Sequence, residues 1–173
     1  TEILAEGWLA LLFKGGDSQA MTQYRPVTVL NVAYKIISAA YKHHLLETIE
    51  EVMPGRQYGF KNESGCRDYL ADIKSIIEQN GEGDLALALC DMSKAFDRAR
   101  RSLLWRILLD LGLPAEFVGQ IRSLHKNTRM GAKWGGHLDD PQVVGLGVYQ
   151  GSPISPYLFI LYTLAMNLEV EKE

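Results

Sequence analysis

An aspartate, Asp91, closes the apolar run Leu85 to Leu89, and an aromatic residue, Phe96, follows it five positions later. Further along, Tyr149-Gln150-Gly151-Ser152-Pro153-Ile154-Ser155-Pro156 forms a Gly/Ser/Pro turn that opens onto the apolar Tyr157-Leu158-Phe159. An aspartate at a strand end is a rigid, short-armed oxygen donor, the hard ligand type that a magnesium ion takes. Paired divalent ions stabilise both the attacking and the leaving oxygen of an in-line displacement at phosphorus. A strand-end aspartate taken alone more often only caps the turn that follows it. What raises Asp91 above that plainer reading is the ordered company of the second segment.

Cys90-Asp91-Met92-Ser93-Lys94-Ala95-Phe96-Asp97 and the Tyr149 to Phe159 segment resemble motifs A and B of the reverse transcriptase palm, in its non-LTR retrotransposon and group II intron branch. The similarity extends upstream. WLALLFKGGD from Trp8 to Asp17, then Tyr24-Arg25-Pro26-Val27, then Lys35, resemble the fingers pattern W…KKGD…YRPI…K, and Gln57-Tyr58-Gly59-Phe60 resembles the QxGF block. Four blocks in the family's order span nearly the whole chain. No Tyr/Phe-x-Asp-Asp, the family's motif C, occurs in it.

The resemblance implies an α+β fold, with polymerase fingers over about residues 1–83 and a palm-like part with motifs A and B over about 84–173, together one incomplete domain. It implies that Asp91 and the Met92 carbonyl bind Mg2+, with Mn2+ as a substitute, and that Asp91 is the catalytic carboxylate. Phe96 then packs beneath the sugar of the incoming nucleotide and excludes a 2′-hydroxyl, Gln150 approaches sugar and base, and Gly151 lets the backbone come close. Lys14 and Arg25 grip the triphosphate through charge-assisted bonds. Two positions depart from the pattern: Tyr149 stands where the family often carries arginine, and Lys14-Gly15-Gly16-Asp17 has one lysine fewer than KKGD. For each residue a plainer role competes, namely core packing for Phe96, a solvated turn lysine for Lys14, and a helix cap before Trp105 for Asp97.

The implied reaction is extension of a DNA primer on an RNA template from deoxynucleoside triphosphates, with the remaining palm and the thumb supplied by a parent polyprotein. A first residue of threonine suggests an excised fragment, and motif C is expected beyond Glu173. A chain without it is expected to be inactive. The alternative is a non-catalytic retroelement remnant that binds nucleic acid or protein; an RNA-templated RNA polymerase shares the metal chemistry but is disfavoured by the bulk of Phe96.

Composition is compatible with this. A chain of 173 residues, 47% hydrophobic, can bury one substantial core. A net charge of -3 weighs against a nucleic-acid binder, since neutralising phosphates takes Lys and Arg. Yet between Lys94 and Lys133 nine basic residues (Lys94, Arg98, Arg100, Arg101, Arg106, Arg122, Lys126, Arg129, Lys133) meet three acidic ones, which marks a zone where a phosphate backbone can pass, with Arg122, Lys126 and Arg129 as the contacts singled out. A solvated helix face is the plainer account of any one of them. Cys66 and Cys90 form neither a metal spacing nor a disulfide framework, which points to a reducing compartment, nuclear or cytosolic. Pro141 to Leu168 is uncharged, but the polar turn from Gln150 to Pro156 leaves an apolar run shorter than the ~20 residues of a membrane span, so no membrane is expected.

The elements that must hold these residues are legible from periodicity. Tyr34, Ile37, Tyr41, Leu45 and Ile49 predict a helix capped by Asn31 and ended by Pro54-Gly55. Cys66, Tyr69, Leu70, Ile73, Ile76 and Ile77 predict an amphipathic helix with Ser64 as N-cap and Asn80-Gly81 as stop. Leu85, Leu87 and Leu89, alternating with Ala86, Ala88 and Cys90, predict a strand buried on both faces at a sheet centre. Helices follow over Leu103 to Leu111 and from Pro114, then strands over Arg129 to Trp134 and Gln142 to Val148, then a helix from Pro156 that is apolar nearly all round.

Overall fold

The computed structural model describes residues 6–170 apart from 54, 56, 62, 63, 82 and 135, with side chains to Leu164. Pro54 of the expected helix stop therefore lies outside the described residues.

Strand β1 (Glu6–Phe13) and strand β2 (Tyr24–Leu30) form an antiparallel hairpin in which Trp8 opposes Val29 and Phe13 opposes Tyr24. Helix α1 (Val32–Val52) leaves β2 at once, and Asn31 caps it by accepting a hydrogen bond from the Ala33 N–H at 2.8 Å, as its position before the apolar periodicity predicts. Helix α2 (Cys66–Asn80) ends at Gly81, whose φ of +58° suits glycine. Its N-cap is Gly65 and not Ser64: the Asp68 carboxylate accepts from the Gly65 N–H at 2.8 Å, and this reach back from the first turn fixes the helix start one residue later.

The one-turn α3 (Ala95–Arg98), α4 (Arg101–Asp110) and α5 (Ala115–His125) follow. Gly112 ends α4 with φ +85°, and Pro114 caps α5. Strand β3 (Arg129–Trp134) matches its predicted span. It lies parallel to β1, with Glu6 opposite Arg129 and Ala10 opposite Lys133, while β4 (His137–Leu138) and β5 (Gln142–Val143) pair with it antiparallel. Of the predicted Gln142 to Val148 strand only Gln142–Val143 is strand; the Val144 N–H still donates to the Thr128 carbonyl at 2.9 Å, and beyond it Gly147 and Val148 bond to the Ala99 and Phe96 carbonyls instead. Helix α6 (Ser155–Val170) closes the fold, and the result is α+β as expected, a five-stranded sheet whose strand pairs are antiparallel except β1 with β3.

The main core gathers Leu45 and Ile49 of α1, Leu104 and Leu108 of α4, Val118 and Ile121 of α5, and Leu158 and Leu161 of α6. Each of these leucines and isoleucines is almost completely buried, and truncating one to alanine would remove about 2–5 kcal/mol. A smaller cluster of Leu30, Tyr34, Met130 and Tyr149 seats the sheet on this helical body.

One expectation fails outright. Leu85 to Leu89 is not a strand, and it is not buried: Leu87 is 57% and Leu89 84% exposed. The alternating pattern records a demand for burial on two faces, but a strand exists only where neighbours complete its ladder, and among the described residues none lies beside it. Helix α2 shares this condition, for Tyr69, Leu70, Ile76 and Ile77 of its apolar stripe are exposed.

Candidate active site

The site is built where three segments meet. The exposed stretch carrying Asp91 and Met92 enters α3 through Lys94, held left-handed at φ +53°. Phe96 in α3 lies half-buried with its ring stacked on Phe159 of α6 at 4.9 Å and 16°. The α3 segment is tied to the chain before Tyr149 by two backbone bonds: the Val148 N–H donates to the Phe96 carbonyl and the Gly147 N–H to the Ala99 carbonyl, both at 2.9 Å. Gly147 has φ +78°, and a Cβ on it would sit 2.8 Å from the Phe96 and Asp97 carbonyl oxygens. Only glycine fits there.

The third segment is β2. The Thr28 N–H donates to the Gln150 carbonyl at 2.7 Å, and Gly151, at φ +119°, passes so close that a Cβ would stand 2.5 Å from the Thr28 oxygen. Gln150 is half-buried at this junction. Arg25 lies three residues before Thr28 on the same strand, roughly 10 Å away at the rise of an extended chain, with its side chain exposed. Lys14 flanks the hairpin tip, its N–H donating to the Gln23 carbonyl at 2.8 Å and its side chain in solvent. The geometry thus ties Phe96 to Val148, and Gln150 and Gly151 to Thr28, so the three stand on one short stretch of chain, with Arg25 and Lys14 displayed along the adjoining hairpin.

Asp91 and Met92 are exposed, and among the described residues no group of three or more His, Cys, Asp or Glu is placed to hold a metal ion. Asp97 does not cap α4. It belongs to α3, and Arg100 precedes α4 without a side-chain cap bond. Partial burial lifts the Asp97 carboxyl above the usual carboxylate range, and Lys94 offsets part of that.

Arg122, Lys126 and Arg129 are exposed on α5, just after it and at the start of β3, and Arg129 donates from Nε and Nη2 to the Pro141 carbonyl at 3.2 and 3.1 Å. Arg101 is a correction to the basic zone. It is buried, and so unavailable to a phosphate. Its helical spacing carried the signal: Arg101, Leu104, Trp105 and Leu108 form the buried i, i+3, i+4, i+7 stripe of α4, so the arginine points inward with the leucines. Its guanidinium lies over the Tyr149 ring at 5.2 Å, so a guanidinium does sit against position 149, supplied from α4.

His125 was not anticipated. It is fully buried, stacked on Tyr149 at 5.1 Å and 10° and edge-on to Trp105 at 5.5 Å. Nδ1 lies 3.0 Å from the Ile121 carbonyl, which can only accept, so the ring is protonated there and Nε2 is bare, without a partner among the described residues. Burial drops its pKa to about 4, with the nearby Arg101 charge acting in the same direction and the Ile121 bond opposing.

Comparison with known proteins places the chain in a family. Residues 14–173 match the family described as reverse transcriptase (RNA-dependent DNA polymerase). The chain belongs to the reverse transcriptase family. It is 30% identical over 156 residues to the uncharacterized 149 kDa protein of transposon TX1 from Xenopus laevis, covering 88% of the chain and 12% of that protein. It is 27% identical over 140 residues to the retrovirus-related Pol polyprotein of the type-2 retrotransposable element R2DM from Drosophila melanogaster, covering 80% of the chain and 13% of the polyprotein. A probable RNA-directed DNA polymerase from transposon BS of the same fly is 25% identical over 153 residues, 86% of the chain and 17% of that protein. These transposon relatives accord with the non-LTR retrotransposon side of the resemblance. The chain spans less than a fifth of the length of each of them. The close approaches at Gly147 and Gly151 bring α3, the turn from Gly147 to Gly151 and β2 into one junction.

Proposed function

We propose that this chain is the fingers, about 1–83, and the front of the palm, about 84–173, of an RNA-directed DNA polymerase that extends a DNA primer on an RNA template. The observation that carries the reading is the junction itself: the Thr28 bond to Gln150 and the Val148 bond to Phe96 assemble segments far apart in sequence around one point. Asp91 and the Met92 carbonyl would supply oxygen ligands to Mg2+ or Mn2+, and the bound ions supply charge stabilisation to the transferring phosphate. The exposed Asp91 carboxylate with the neighbouring Met92 carbonyl suits a hard cation but is too few ligands for two, so the site calls for a further carboxylate, expected from a Tyr/Phe-x-Asp-Asp beyond Glu173. Arg25 and Lys14 on the hairpin take the triphosphate, Gln150 and Gly151 the sugar and base region, and Arg122, Lys126 and Arg129 the backbone of the template-primer duplex. The remaining palm and thumb of a parent polyprotein complete the enzyme. No helix among the described residues is long and apolar enough to cross a membrane, and the reading requires none.

Primer extension tests this directly. Purified residues 1–173 should add no nucleotide with magnesium or manganese, whereas the longer protein that contains them should copy an RNA template. Synthesis by 1–173 alone would overturn the two-carboxylate account of the site, and an inactive longer protein would favour a remnant that only binds.

Phe96 gives a sharper test. In the longer protein Phe96→Val should keep DNA synthesis and weaken discrimination against ribonucleotides, because the substitution removes a clash. Loss of the stack on Phe159 should also cost roughly 1–2 kcal/mol of stability. Incorporation of both nucleotide types beside thermal unfolding separates the two roles; lowered stability with an unchanged deoxy/ribo ratio would leave Phe96 a packing residue.

A further inference from the structure

Arg101 uses every donor it has. Nε donates to the Gly147 carbonyl at 2.8 Å, Nη1 to the His125 and Val144 carbonyls at 2.8 and 2.7 Å, and Nη2 to the Leu146 carbonyl at 3.2 Å and the Tyr149 hydroxyl at 2.9 Å. A guanidinium carries five N–H groups, and all five are matched. No carboxylate among the described residues is within salt-bridge distance, so four carbonyl dipoles with the Tyr149 hydroxyl and ring compensate a buried permanent charge. Four of the five acceptors belong to residues 144–149, the stretch that runs into Gln150 and Gly151, and the fifth is the carbonyl at the C-terminus of α5, the negative end of that helix.

The same stretch is pinned on its other side to α3, through Gly147 and Val148, and its continuation to β2 through Gln150. The spacing at Gly147 and Gly151 leaves no slack, since a single added carbon at either would overlap backbone. The turn is thus clamped between α3 and β2 from outside and held by Arg101 from within.

We infer that Arg101 is a positioning residue that sets where the Gly147 to Gly151 turn stands relative to the incoming nucleotide. The inference rests on the polymerase reading above. It follows from the geometry that Arg101 never touches substrate; it acts through carbonyls, so its loss displaces Gln150 and Gly151 and leaves the metal carboxylate alone. Lysine preserves the charge but presents three donors from one nitrogen, and cannot span acceptors spread over 144–149 and α5. Tyr149→Phe removes a single acceptor and keeps the ring that stacks on His125.

The test is steady-state primer extension by the longer protein, with competent sites counted by burst amplitude. Arg101→Lys should raise KM for deoxynucleotide by about tenfold while kcat per competent site changes by less than about threefold, the pattern of weakened binding with intact chemistry. Tyr149→Phe should raise KM by a smaller factor, and the double variant should exceed Arg101→Lys by less than that factor, because the two residues act through a shared bond. A merely structural arginine predicts otherwise: fewer competent sites and a lower melting temperature, with KM per site unchanged. That result overturns the inference while the wild-type enzyme still polymerises. Should Arg101→Lys yield no folded protein, Tyr149→Phe decides by itself, and an unchanged KM there overturns the inference. A wild-type protein without polymerase activity removes both this inference and the reading beneath it.

Discussion

Asp91→Asn in the longer polymerase should slow nucleotide addition by several orders of magnitude while template binding persists. Asparagine keeps the size of the side chain and one carbonyl oxygen but removes the negative charge that draws a divalent ion. The ions contribute most where charge builds on the transferring phosphoryl group, so the loss falls on the chemical step more than on the encounter with nucleic acid. Asp91 is exposed and makes no side-chain hydrogen bond among the described residues, so the substitution leaves no buried group unpaired and the fold intact. Single-turnover rates in a quench-flow instrument, beside template affinity from fluorescence anisotropy, measure the two quantities separately. A rate within tenfold of wild type, at about 1.4 kcal/mol of lost stabilisation, is too small for a lost metal ligand and would return Asp91 to the role of a turn residue.

Acid should destabilise the chain through His125. Its pKa is about 4 in the folded state against an ordinary 6.5, so between those values the unfolded chain binds a proton that the folded one refuses. Stability is therefore retained above about pH 6.5, declines as the pH falls below it, and has lost about 3 kcal/mol from this group near pH 4. Asp97 works with the opposite sign. Its raised carboxyl pKa means that the folded chain takes up a proton before the unfolded one, so acidification through that window adds stability and cannot be the cause of the loss. Urea unfolding of His125→Phe, which keeps an aromatic ring between Tyr149 and Trp105, should show a shallower decline from pH 6.5 to 4 than wild type. Parallel curves for the two proteins would show that His125 does not carry the effect.

How much of this was legible beforehand divides along a physical line. Helices were legible because their signals are local: the Asn31 cap, the Gly81 and Gly112 stops and the Pro114 start each act within a turn of the element they bound. The motif blocks were legible too, since residue types at set spacing need no knowledge of the fold, and so the family was within reach of the sequence alone. Three matters required the tertiary structure. Whether Leu85 to Leu89 becomes a strand depends on partners contributed from elsewhere, and no pattern within the segment reports whether they are present. Whether an arginine meets solvent or carbonyl oxygens depends on the direction of its helix face; composition placed Arg101 with the surface cations, and five acceptors drawn from α5 and residues 144–149 hold it inside. The parallel pairing of β1 with β3, more than a hundred residues apart, and the edge bond from Thr28 to Gln150 are long-range hydrogen bonds, which depend on the whole fold bringing distant segments together. The residue types that suit nucleotide chemistry were therefore a property of the sequence, whereas the meeting of α3, β2 and the Gly147 to Gly151 turn was decided by long-range backbone bonds, which the two glycines permit and no local pattern predicts.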